Sequence, residues 1–96
     1  MQTETRFKTR VYKALSTLKN TWFTKVQQTA IAGTPDFIIC SQGRFIALEL
    51  KTDHGKLSAL QEYNLSNIKN SGGVSIVAMP KTWEDAFKYL IELSEE

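Results

Sequence analysis

Apolar positions along the chain fall into a succession of short, distinct patterns. Phe7, Val11, Ala14, Leu15 and Leu18 recur at helical spacing and predict a first helix with one buried stripe. Trp22–Thr29, with Phe23 and Val26 set among threonines, reads as a strand. Gly33-Thr34-Pro35 breaks the chain. Asp36–Ser41 then carries the unbroken apolar run Phe37-Ile38-Ile39-Cys40, the pattern of a strand buried on both faces. Gln42-Gly43 is a two-residue turn, and Arg44–Lys51 is the returning strand. Beyond the loop Thr52-Asp53-His54-Gly55, Ser58-Ala59-Leu60-Gln61 has capping-box spacing and opens a second helix reaching Asn70. Ser71-Gly72-Gly73 ends that helix, and Val74–Met79 is a fourth strand stopped by Pro80. Thr82-Trp83-Glu84-Asp85 opens a last helix with Trp83, Ala86, Phe87, Leu90 and Ile91 inward. The order is αβββαβα, an α/β fold with a central mixed four-stranded sheet flanked by helices.

The hairpin holds the most informative spacing. With its turn on Gln42-Gly43, partners sum to 85 in residue number: Ser41 with Arg44, Cys40 with Phe45, Asp36 with Glu49. Opposite residues share a face, with Cβ atoms about 4.5–5.5 Å apart, so two like charges meet there and destabilise the pair unless neutralised. A divalent cation neutralises them. Lys51 lies two residues beyond Glu49, roughly 6–7 Å along the same face, while Leu48 and Leu50 turn to the other side. Two carboxylates beside an ammonium suit phosphodiester hydrolysis, in which a metal generates hydroxide and the lysine offsets charge at phosphorus. The plainer alternative is a surface Glu49–Lys51 ion pair with Asp36 as a turn residue. It leaves three charges on one face of apolar strands unexplained.

Composition narrows the choices. The 96 residues are 42% hydrophobic and 23% charged, which suits one globular domain spanning 1–96. No apolar run approaches the roughly 18 residues of a membrane span, so no membrane association is expected. One Cys and one His exclude an intrachain disulfide and the common Cys/His zinc sites, leaving oxygen ligands and hence Mg²⁺, Mn²⁺ or Ca²⁺. The formal charge is only +2, but residues 1–56 hold nine Lys/Arg against four Asp/Glu, and residues 57–96 hold three against six. The first half is thus +5 and suited to an anionic polymer.

Several positions admit two readings. Glu4 falls within the apolar stripe of the first helix, where it is either a third acid for the metal or a first-turn acid favoured by the helix dipole. Arg6, Arg10 and Lys13 form either a solvated face or a phosphate-tracking patch. Gln61 either points to the active face, in the stripe with Leu57, Leu60, Leu65 and Ile68, or serves the capping box. His54 reads as an ordinary loop residue, Cys40 as a small buried hydrophobe, and the tryptophans and tyrosines as core or rim aromatics.

Gly33-Thr34-Pro35-Asp36-Phe37-Ile38, Glu49-Leu50-Lys51 and Gly55-Lys56-Leu57-Ser58 followed by Gln61 together resemble the PD-(D/E)XK nuclease superfamily, in its VRR-NUC branch. The resemblance spans Glu4 to the Gly72-Gly73 approach to the fourth strand. It implies a restriction-endonuclease-like core and Mg²⁺- or Mn²⁺-dependent hydrolysis of DNA. Asp36, Glu49 and the Leu50 carbonyl are then metal ligands, Lys51 the catalytic lysine, Gln61 the helix glutamine beside the site, and Glu4 the first-helix acid. Minimal versions of the branch look like phage or bacterial junction resolvases. The resemblance therefore implies a homodimer acting on branched or four-way-junction DNA in the cytoplasm of a bacterium or phage-infected cell. Arg6, Arg10, Lys13 and Lys56 would contact phosphates. Two other functions stay open: a nuclease without branch preference, and a binding module that keeps the fold without turnover.

Overall fold

A computed structural model describes residues 3–27 and 30–96. The elements are α1 (Glu4–Leu15), β1 (Thr21–Lys25), β2 (Phe37–Ser41), β3 (Arg44–Leu50), α2 (Ala59–Asn70), β4 (Val74–Ala78) and α3 (Trp83–Glu95), with a 3₁₀ turn at Pro80–Thr82. They form one four-stranded mixed sheet in the order β1-β2-β3-β4. β1–β2 and β2–β3 pair antiparallel, and β3–β4 pair parallel through the α2 crossover. The expected element order and mixed sheet are therefore present. β1 stops at Lys25, and of the longer strand expected there, Gln28 and Thr29 lie outside the described residues.

One face of the sheet carries the main core. Phe37 and Ile39 of β2, Ile46, Leu48 and Leu50 of β3 and Ala78 of β4 pack with Phe7, Val11 and Leu15 of α1 and Trp83, Leu90 and Leu93 of α3. Alternation along each strand sends Ile38, Cys40, Phe45, Ala47 and Glu49 to the opposite face. There α2 packs along β4, with Leu65 buried and its carbonyl accepting a hydrogen bond from Ser75 Oγ.

That placement corrects three expectations. β2 is buried on one face only, and Cys40 is exposed, because the α2 helix does not extend over that end of β2. Ile91 is exposed while Leu93 and Ser94 are buried, so the inner stripe of α3 is rotated towards its C-terminus. Thr82 makes no cap bond to α3; its hydroxyl closes the 3₁₀ turn on the Met79 N–H and carbonyl instead.

The β2–β3 turn sets everything that follows. Gln42 and Gly43 both adopt left-handed backbone, at φ 51° and 79°, which is the two-residue turn whose twist matches the strands it joins. The register then runs Ser41–Arg44, Ile39–Ile46 and Phe37–Leu48, in agreement with the spacing expected from the sequence.

Candidate active site

One step past Phe37–Leu48, Asp36 and Glu49 stand opposite each other, and each carboxylate accepts a hydrogen bond from the main chain across the hairpin. The Asp36 N–H donates to Glu49 Oε1 at 3.2 Å, and the Leu50 N–H donates to Asp36 Oδ2 at 2.8 Å. Each carboxylate is thus fixed by the main chain of the other's strand. The Leu50 N–H points towards β2, so its carbonyl points the same way, opposite Pro35 in the continued register. Proline has no N–H to give it.

Glu49 is only 3% exposed and takes two further partners. Gln61 Nε2 donates to its Oε2 at 2.8 Å, and Lys51 Nζ lies 3.6 Å from the same oxygen. Burial, reinforced by the charge on Asp36, pushes the Glu49 carboxyl up from 4.5 to about 7, against the opposing pull of Lys51. Two acids forced together in a low-dielectric site hold on to a proton that a cation can replace.

Gln61 resolves into both of its readings. Its Oε1 accepts from the Ser58 N–H at 2.8 Å and its own N–H donates to Ser58 Oγ at 3.1 Å, a complete capping box. The remaining Nε2 faces Glu49. The helix start is seated against Gly33, where an added Cβ would lie 2.8–2.9 Å from Leu60 and Gln61 main-chain atoms, and where φ is +79°. Glycine permits that approach and that conformation. Leu60, in contrast, faces solvent.

From α1 comes a residue that the sequence reading did not single out. Lys8 Nζ lies 3.2 Å from Asp36 Oδ1, with the two side chains 27% and 20% exposed. Glu4, one turn earlier, is half-exposed and sits 3.9 Å from Lys8 Nζ, so it meets the site through the lysine and not through the carboxylates. The signal was available: positions four apart share a helix face, so a Glu4 turned towards the sheet implies Lys8 there too. Arg6, Arg10, Lys13 and Lys56 are all exposed, with Arg10 lying over the Phe7 ring at 5.4 Å. His54 is exposed in its loop. An open cleft of about 850 Å³ borders the site along Gly33–Asp36, Val26 and Gln27.

Among the described residues, no group of three or more His, Cys, Asp and Glu side chains gathers as a metal site. The available donors are two carboxylates and the Leu50 carbonyl, all hard oxygens, a set that fits Mg²⁺ or Mn²⁺ with water completing the shell. No family model, curated protein or solved structure matches this chain. The site is therefore read on its own chemistry: paired acids, one of them raised in pKa, and two ammonium groups at one end of a sheet.

Proposed function

We propose that this chain is a Mg²⁺- or Mn²⁺-dependent DNA endonuclease with a restriction-endonuclease-like core, acting as a homodimer on branched DNA such as four-way junctions. The observation that carries the reading is the Asp36–Glu49 pair across the hairpin with Lys51 Nζ 3.6 Å from Glu49. The resemblance of Gly33–Ile38, Glu49-Leu50-Lys51 and the Ser58-to-Gln61 segment to VRR-NUC nucleases supports the choice of DNA and of a dimer, which offers two sites to two strands.

Asp36, Glu49 and the Leu50 carbonyl are the residues that would hold the cation. When bound, a divalent cation supplies Lewis acidity and an activated water. The protein's own part is positional and electrostatic. The backbone clamps keep both carboxylates aimed together, and Gln61 fixes Glu49 Oε2. Lys51 places an ammonium where a phosphate over the carboxylates gains negative charge during displacement. Arg6, Arg10, Lys13 and Lys56 attract the flanking phosphates by charge.

Purified protein is expected to cut a four-way junction with Mg²⁺ or Mn²⁺. Asp36→Ala and Lys51→Ala should each lower the rate roughly a hundredfold or more. Cutting that persists in EDTA, or that both substitutions leave intact, overturns the reading. Equal cutting of junction, flap and linear duplex at matched salt removes branch selectivity alone.

A further inference from the structure

The four carboxylate oxygens of the site fall into two classes. Asp36 Oδ2 and Glu49 Oε1 accept from main-chain N–H groups that the sheet keeps in place. Asp36 Oδ1 and Glu49 Oε2 are held by side chains: the first by Lys8, the second by Gln61 and Lys51. Side chains can withdraw and main-chain groups cannot, so a cation taking up these oxygens would compete with the side-chain donors. Of these, Gln61 is neutral and anchored in its capping box. Lys8 carries a full charge, comes from another element, and has a second acid, Glu4, within 3.9 Å on its own helix.

The local charge count makes the same point. Each acid has one ammonium at its side-chain-held oxygen, Lys8 at Asp36 and Lys51 at Glu49, with Glu4 as a further acid beside Lys8. An ammonium 3.2 Å from a ligand oxygen also repels any cation bound to that oxygen at about 2.1 Å.

We propose that Lys8 is a resident counter-ion of the metal site. Its ammonium occupies Asp36 Oδ1 in the metal-free protein, competes with the divalent cation for that oxygen, and withdraws to Glu4 when the cation binds. Lys8 is in this sense a positioning residue, and Glu4 acts through it. The inference rests on the metal-site reading of Asp36 and Glu49, and the test separates the two.

Mn²⁺ is titrated by calorimetry into the full chain without DNA, at mildly alkaline pH so that Glu49 is ionised. Lys8→Met is expected to bind Mn²⁺ about fivefold or more tightly than the wild type, a gain that structural damage does not produce. Lys8→Arg keeps the charge and should not gain. Lys69→Met, about 12 Å along α2 from Gln61, controls for net charge and should leave the affinity unchanged. Lys8→Gln repeats the test if the methionine variant does not fold. Glu4→Gln should weaken Mn²⁺ binding in the wild type and have no effect in Lys8→Met. If Glu4→Gln weakens binding in both backgrounds, Glu4 reaches the metal itself and its assigned role is overturned. Asp36-dependent binding with no gain in Lys8→Met overturns the counter-ion alone. Binding that survives Asp36→Asn unchanged overturns the metal site and the counter-ion together.

Discussion

Glu49 is a carboxyl whose surroundings oppose its charge. The side chain is buried, a second acid lies opposite, and one lysine offsets them in part. Its folded value near 7 against an ordinary 4.5 means that the folded state holds the proton more tightly than the unfolded chain. This contribution to stability is therefore full below about 4.5 and is lost as pH rises through about 7. In EDTA, the melting temperature should fall between about pH 5 and 8, and Glu49→Leu should flatten that slope. Mn²⁺ affinity should rise across the same interval, because binding releases the Glu49 proton. Calorimetry in buffers of different ionisation enthalpy reads that proton directly. The position of Glu49 opposite Asp36 was legible in the sequence, since a two-residue turn fixes the register and a period of two fixes the face. For Lys8 only the helix face was legible, from its i,i+4 spacing to Glu4; its approach to Asp36 depends on how α1 sits against the end of β2, and no local pattern encodes that angle.

At the scale of elements, the start of α2 joins helix stability to the site. Ser58 and Gln61 close the capping box, and only Gln61 also reaches Glu49. Ser58→Ala should cost about 1 kcal/mol in urea unfolding and leave cleavage nearly intact. Gln61→Ala should cost a similar amount and also lower cleavage, because Glu49 Oε2 loses its neutral donor. Gly33→Ala meets Leu60 and Gln61 main-chain atoms that cannot swing aside, at a φ of +79°. It should destabilise by roughly 1–3 kcal/mol and shift the helix start, lowering cleavage as well. Folding melts and rates measured on the same three variants separate the helix from the site. The capping box was legible because its residues lie within four positions. The Gly33–Gln61 approach was not, since it joins segments distant in sequence. The exposure of Cys40 escaped for a related reason: an apolar run shows that two faces are apolar, not how far a helix extends over one of them.

Across the whole molecule, α1 contributes to the site from one side of the sheet and α2 from the other. Four elements, α1, β2, β3 and α2, converge at one end of β2 and β3. Of the basic residues of the first half outside this cluster, Arg6, Arg10, Lys13, Lys19, Lys25 and Lys56 are exposed, while Arg44 is half-buried and paired with Glu96. For DNA binding, log K should fall with log salt, and removing Arg6, Arg10 or Lys13 should each reduce the slope by about one. Fluorescence anisotropy over a salt series checks this, and an unchanged slope removes that residue from the interface. The element order and the charge split could be read from the sequence because both are sums over many residues. The convergence of elements on one end was legible only for the hairpin, whose geometry is local.

The tight turn at Gln42-Gly43 also has a kinetic consequence. The hairpin closes over a few residues, whereas the β3–α2–β4 crossover must close over more than twenty, so hairpin contacts form at lower entropic cost. On that ordering Asp36 and Glu49 are expected to meet before Gln61 is in place. In metal-free buffer, burial of Glu49 and its repulsion by Asp36 fall in part on the folding step, and refolding should slow as pH rises above about 4.5, where the unfolded carboxyl ionises. Stopped-flow refolding of the wild type and Asp36→Asn measures the share due to Asp36, and the asparagine variant should show a weaker pH dependence, with the part due to burial remaining. Two carboxyls that the finished fold holds together are, for the folding chain, a barrier.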